Sequence, residues 1–334
     1  MANIASEHYN SIQFRDPLSG DDDHDQYIRD ALRPMKQSLS NKSKATLAKK
    51  LSRQEVCDAI KTAATDKSPG LDGLPTEVWK AYVRWYESDS KRGAGGVDFV
   101  KYLTMFYNDI AQYGVVPDST FADGWICPVY KLKKDKRDIE NYRPITLLNT
   151  DYKIMTRALA LRLADCAAEV IHPDQAGFMP GRSIFDHIRL ATLMIDYAEA
   201  EEVNGAIVAL DQEKAYDRID HTYLWSALEH INFPRTFINT VKNLYERAVS
   251  CVIINGVKSN TFRIVRGVRQ GDPMSCLLFD FAIEPLAAAF RSSSLKGFPV
   301  PGSTERLVAK LFADDTTVFL SEEDDYTIVE DITA

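Results

Sequence analysis

The stretch LFADDTTVFL, from Leu311 to Leu320, constrains this chain more than any other. Two aspartates, Asp314 and Asp315, stand side by side between apolar runs. Neighbouring side chains of a strand point to opposite faces. A continuous strand would therefore carry one of the two charges into whatever its apolar flanks bury, and an unpaired buried charge is costly. A tight hairpin with the aspartates at its bend removes the conflict. Its arms are buried and its charged tip is not.

An acidic tip by itself is an exposed turn. It becomes chemistry if a third acid is brought beside it. Asp211 ends the apolar segment GAIVALD (Gly205 to Asp211), which reads as a buried strand. Placed next to the hairpin, that strand would bring three carboxylates together, and they would repel unless something offset them. Hard divalent cations do this, and Mg²⁺ takes a few carboxylates together with substrate phosphates. Two such ions about 3.5–4 Å apart suit in-line phosphoryl transfer. From the residues alone, the turn and the metal site both remain open.

The rest of the chain reads as a mixture of helices and strands without strict alternation, which is the α+β class. Ser52 and Glu55 form a capping box before a helix with Val56, Ile60 and Ala63 on one face. DKSPGLDGLP is a structured loop, followed by a helix near Glu77 to Glu87. Trp125 to Leu132 reads as a strand, Tyr152 to Val170 as a helix, and Ser183 caps a helix through about Ala198. Asp220 caps a helix carrying Leu224, Leu228 and Ile231. CVIINGVKSNTFRIVRG is a hairpin turning at Asn255-Gly256. GDPMSCLLFDFAIEPLAAAF is a helix capped by Asp272, with Pro273 in its first position and Pro285 as a kink. Residues 1–50 are polar with little periodicity and read as a loose arm. The DDDHD run in that arm reads as solvated charge, because adjacent acids on a flexible segment have no fixed geometry.

Composition excludes some classes. Five scattered cysteines without a CxxC pair disfavour zinc and disulfides and fit a reducing, intracellular setting. No apolar run is long enough for a membrane span, and no secretory leader is visible at the start. The net charge of −8 argues mildly against nucleic acid. Local patches decide contact, however, and Lys42 to Arg53 and Lys131 to Arg143 are basic.

Other residues carry two readings each. Tyr216, five residues past Asp211, is either a core aromatic or a ring under a nucleotide sugar that excludes a 2′-hydroxyl. Asp217 reads as a helix-end residue rather than a ligand. Gln270 and Gly271 lie in VRQGDP, between a strand and a helix start. Gly271 permits close backbone approach, and a phosphate or base fits there as well as a plain capped turn. Lys131 and Arg143 lie on a basic loop, suited to triphosphate or to solvent.

Taken in order, DKSPGLDGLPTEVWK, PVYKLKKDKRDIENYRPITLLNTDYKIMTRALALRL, HPDQAGFMPGRS, ALDQEKAYDRIDH, RGVRQGDPMSCLLFDFAIEPL and LFADDTTVFL resemble the reverse transcriptase of non-LTR (LINE-type) retrotransposons. The resemblance runs from about Leu51 to Leu320. It implies polymerase fingers and palm, the palm having a ferredoxin-like antiparallel sheet. Residues 1–50 would be a flexible arm, 51–200 fingers and fingers–palm helices, and 201–334 the palm. It implies Asp211, Asp314 and Asp315 as catalytic, metal-binding acids and Tyr216 as the ribose gate. Lys131, Arg143, Gln270 and Gly271 would contact the nucleotide, and Gln175 and Arg182 the template. The implied cofactor is a pair of Mg²⁺ ions, with Mn²⁺ as a substitute. The implied partners are an RNA template, a DNA primer and deoxynucleoside triphosphates, without a membrane and with a nuclear site of action. The family continues beyond the aspartate hairpin into a primer grip and thumb. The expectation is thus a fragment with its acids intact and its thumb absent. An inactive remnant that at most binds RNA, and a group II intron maturase-like enzyme, are the competing expectations.

Overall fold

The computed structural model describes residues 1–14, 21–93, 95–132, 135–300, 302, 304–324 and 326–333. Six helices come first: α1 (Ala2–Gln13), α2 (Asp21–Leu32), α3 (Asn41–Leu47), α4 (Arg53–Thr62), α5 (Thr76–Arg92) and α6 (Phe99–Tyr113). Next come strands β1 (Gly124–Tyr130) and β2 (Tyr142–Leu148), then helices α7 (Thr150–Ala167) and α8 (Ile184–Ala200). Strand β3 (Gly205–Leu210) leads into the short α9 (Ala215–Arg218), α10 (His221–His230) and α11 (Arg235–Glu246). Strands β4 (Val249–Ile254), β5 (Val257–Lys258) and β6 (Phe262–Arg263) precede α12 (Ser275–Ser292). The chain closes with β7 (Phe298–Pro299), β8 (Arg306–Leu307), β9 (Ala309–Phe312), β10 (Asp315–Ser321) and α13 (Thr327–Thr333).

Two sheets matter for function. One is mixed, in the order β2-β1-β4-β5, with β6 also pairing β4; β1 and β4 run parallel. The other is antiparallel, in the order β3-β10-β9. Helix α12 packs against β9 of the antiparallel sheet and against α7 and α10. Its Phe279, Phe281 and Phe290 are almost wholly buried, and each buried side chain of that size contributes about 1.5–3 kcal/mol. The main core gathers α12 with α4, α6, α7, α10 and α11 around Tyr107, Tyr152 and Phe237. A second core, with Leu311, Val318, Leu320 and Phe290, backs the antiparallel sheet.

The capping box is present: Ser52 accepts from the Glu55 amide, and Glu55 reaches back to the Ser52 amide. Glu55 also holds the buried Arg162, which donates to both its oxygens and to the carbonyls of Lys49 and Lys50. Burial would raise the Glu55 carboxyl, but the bonds from Arg162 and Ser52 outweigh it and hold it at about 2. A lowered carboxylate contributes stability that is complete above its ordinary value of 4.5 and is lost as pH falls towards 2. Urea melts of Arg162→Met should therefore show a deficit at neutral pH that shrinks steadily below pH 4.5. A deficit independent of pH would assign the loss to packing instead.

Four expectations are corrected. Residues 1–50 are not a loose arm, since their described part contains α1, α2 and α3. Ala5 and Tyr9 of α1 are buried in one cluster with Ile126, Val252 and Phe262, and this small apolar face seats an otherwise polar helix. Strand β2 was not foreseen, although all seven of its residues pair with β1. Strand β3 is exposed along Gly205, Ala206, Ile207 and Ala209, because it is the edge of its sheet. Helix α12 starts at Ser275, two residues late, because the Asp272 carboxylate accepts from the Met274 amide in a turn of its own. The helix continues through Pro285 to Ser292. The Asn255-Gly256 turn is present, with φ of 51° and 79°.

Candidate active site

The acidic stretch is a hairpin. Phe312 pairs with Asp315, so Ala313 and Asp314 form a two-residue bend. Ala313 has φ of 56° and is buried, a left-handed backbone that non-glycine residues rarely adopt outside such turns. Asp314 is half-buried and Asp315 is exposed. The alternation conflict is thus resolved at the bend, and Thr316, Val318 and Leu320 go to the interior beyond it.

Strand β3 is laddered to β10 from Gly205↔Ser321 to Leu210↔Thr316. Asp211, one residue past the ladder, comes in line with Asp315. The Asp314 carboxyl is pushed up by burial and then by the charges of Asp315 and Asp211. Three acids therefore share one electrostatic environment at the end of the sheet.

As donors for a divalent cation these are hard oxygens at an open edge, which suits Mg²⁺ or Mn²⁺. Among the described residues no set of three or more His, Cys, Asp or Glu side chains is gathered tightly enough to cage an ion. The expected convergence of three carboxylates is corrected to that extent. Asp315 leaves the bend as the exposed first residue of β10. The chemistry fits an ion held by few carboxylates and completed by substrate oxygens, not a closed protein cage.

Tyr216, on α9, stacks on Phe279 with ring centres 4.6 Å apart and planes 5° apart, and Phe178 meets it edge-on at 6.2 Å. It is half-buried. Burial raises its hydroxyl first, with Cys276, Asp280 and Asp314 adding to the effect. It is both a packed aromatic and a neighbour of the acidic turn. The chain around it is stitched to the segment after β6: Gly267 donates to the Ile219 carbonyl and Val268 to the Tyr216 carbonyl, both at 2.7 Å. Gly267 has φ of 80°, and a Cβ there would meet the Tyr216 and Asp217 carbonyls.

Gln270 and Gly271 lie against β2. The Gln270 carbonyl accepts from Thr146, and a Cβ on Gly271, whose φ is 115°, would strike the Thr146 carbonyl. The Gln270 amide donates to Asp217 Oδ2 at 3.2 Å. Asp217, read from sequence as a helix end, is part of this turn. Burial raises it to about 6, with Lys214, the Gln270 bond and Lys131 pulling the other way. Lys131 Nζ donates to the Glu140 carbonyl. Arg143 is exposed on β2 across from Val129. Lys133 and Lys134 of the same basic loop lie outside the described residues. So do the side chains of Asp21 to Asp23 and the whole of Asp325.

The two residues implied at the template are both engaged by main-chain groups. Gln175 is 1% exposed and its amide is engaged by the backbone of the aspartate turn. Arg182 spends its guanidinium on the carbonyls of Ile171, His172 and Gln175. Gln175 is buried, whereas Arg182 keeps part of its surface exposed. No spacing in HPDQAGFMPGRS signals this use of Gln175, since its partner Ala313 is 138 residues away.

A model of the family described as reverse transcriptase (RNA-dependent DNA polymerase) matches residues 132–333. The chain is 36% identical over 277 residues to an uncharacterized 149 kDa protein of transposon TX1 from Xenopus laevis, covering 83% of this chain and 20% of that protein. It is 27% identical over 224 residues to the RNA-directed DNA polymerase from mobile element jockey of Drosophila melanogaster, covering 66% and 23%. It is 28% identical over 180 residues to the Pol polyprotein of the type-2 retrotransposable element R2DM of the same species, covering 54% and 16%. The chain thus spans 16–23% of the length of these relatives.

Proposed function

Because this chain belongs to the reverse transcriptase (RNA-dependent DNA polymerase) family, we propose that it extends a DNA primer along an RNA template by nucleotidyl transfer. The antiparallel sheet with its acids is the palm, and the β1–β2 hairpin with Lys131 and Arg143 belongs to the fingers. The nucleus is the proposed site of action. Among the described residues no helix is long and apolar enough to cross a membrane. The observation that carries the reading is the meeting of Asp211 with the Asp314-Asp315 turn at one sheet end, beside Tyr216.

Asp211 and Asp314 would hold the divalent cations. When bound, these ions supply charge neutralisation at the transferring phosphate and activation of the primer 3′-hydroxyl. The chain's own part is positioning. Lys131 and Arg143, on the β1–β2 hairpin, attract the triphosphate. The turn at Gln270-Gly271 brings backbone close to the nucleotide, with Gln270 fixed by Asp217. Tyr216, held flat on Phe279, presents an unyielding ring to the sugar.

The test is extension of a DNA primer on an RNA template with Mg²⁺ or Mn²⁺. Labelled product longer than the primer is expected. No product with either ion would return the chain to an RNA-binding remnant. In the same assay Tyr216→Ala should raise ribonucleotide use relative to deoxynucleotide by about tenfold or more, as expected for removing a steric contact. An unchanged preference would make Tyr216 a core aromatic only.

A further inference from the structure

The aspartate turn is clamped from outside by a loop that no part of the chemistry above uses. Residues 174–176 add to the free edge of β9. Leu311 donates to the Asp174 carbonyl at 2.8 Å, and Ala176 donates to the Leu311 carbonyl at 2.9 Å. Gln175 thereby pairs with Leu311 in a parallel bridge. From that position its side chain reaches the bend. Gln175 Oε1 accepts from Ala313 N at 2.8 Å, and Nε2 donates to the Ala313 carbonyl at 3.1 Å. Both main-chain polar groups of Ala313 thus end on one amide. The same Oε1 also accepts from Gly177 N at 2.8 Å.

The loop is itself held. Arg182 donates to the carbonyls of His172 (2.6 Å), Gln175 (2.7 Å) and Ile171 (2.9 Å). Asp174 is paired with Lys310 of β9 at 2.6 Å and with His172 at 2.9 Å. Gly177 sits so close that a Cβ there would collide with Ala313 N. Ala313 meanwhile keeps a φ of 56°, a sparsely populated conformation that persists only when the surroundings over-determine it.

We propose that Gln175 and Arg182 are positioning residues: together they set the backbone of the Ala313-Asp314 bend, and through it the place of the Asp314 carboxylate relative to Asp211. The inference rests on the polymerase reading for its purpose, but not for its measurement. Asp314 follows Ala313 directly, so a turn released from Gln175 moves its carboxylate. Gln175 is buried, which removes it from contact with a template.

Two variants of the full chain test this. Gln175→Met keeps the length of the side chain and deletes all three bonds. Gln175→Glu keeps the two accepted bonds, cannot donate to the Ala313 carbonyl, and sets carboxylate against carbonyl. Mn²⁺ binding, read by electron paramagnetic resonance, should weaken about tenfold or more in both, the range found when a group supporting a metal ligand is removed. kcat should fall by a similar factor, while KM for nucleotide and Kd for a single-stranded RNA template stay within about twofold of wild type. Weakened RNA binding with unchanged Mn²⁺ affinity would overturn the proposal in favour of a template contact. Mn²⁺ affinity equal to wild type, or no Mn²⁺ binding by wild type, would overturn it as well. If Gln175→Met does not fold, as judged by circular dichroism, Gln175→Glu decides the matter. A wild type that binds Mn²⁺ but never extends a primer would sink the polymerase reading alone.

Discussion

Asp314→Asn is expected to slow nucleotide addition about a thousandfold, ~4 kcal/mol on the barrier, and at the same time to raise the melting temperature of the metal-free chain. The two effects share one cause. Burial and the charges of Asp315 and Asp211 all press against ionisation of Asp314 in the folded state. Removing its charge relieves that pressure at neutral pH and also removes the proposed metal ligand. Asparagine is preferred to alanine because it leaves the bend's shape and the Gln175 bonds to Ala313 in place. Asp315→Asn should cost less, since Asp315 is exposed and already within β10. Single-turnover extension and thermal melts with and without Mn²⁺ measure both effects. Asp314→Asn activity above a tenth of wild type, or a lowered metal-free melting temperature, would contradict this account.

The second large effect lies under the site. Asp280 of α12 has no exposed surface, and among the described residues neither carboxylate oxygen has a hydrogen-bond partner. Burial, and then the charge of Glu284 one turn along, push it to about 8 against an ordinary 3.8, with Arg182 pulling weakly the other way. Glu284 is also raised by burial, but Arg291 donates to it at 2.5 Å. Below pH 3.8 folded and unfolded chains both keep the Asp280 proton, and the site costs nothing through ionisation. Between 3.8 and about 8 only the unfolded chain releases it, so stability falls as pH rises. Asp280→Asn should therefore be nearly neutral in acid and stabilising near pH 7–8, by on the order of 2–4 kcal/mol. Urea unfolding across that range tests the claim. A gain that does not grow with pH would refute it.

The hairpin was legible because its elements disagree in sequence: apolar runs on both arms and two charges where a strand forbids them. The capping box at Ser52 and Glu55 and the Asn255-Gly256 turn were legible for the same local reason. Strand β2 was not, because Pro144 argues against a strand. It is tolerated there because β2 is an edge. An all-apolar run such as GAIVAL reads as buried on both faces, and only its place at the sheet edge exposes it. The clamp on Ala313 was out of reach altogether. A glutamine in a loop is compatible with many roles, and only the closed fold chooses one.

Strand β3 adds one consequence. Among the described residues it has a single neighbour, β10, and Asp211 follows its last paired residue. The separation of Asp211 from Asp314 is therefore counted in residues along two main chains, as teeth are counted on a rack. A slip of one tooth turns the side chain of Asp211 to the opposite face. Deleting one residue from β3 thus removes the acid from its place as completely as replacing it, without touching a charge.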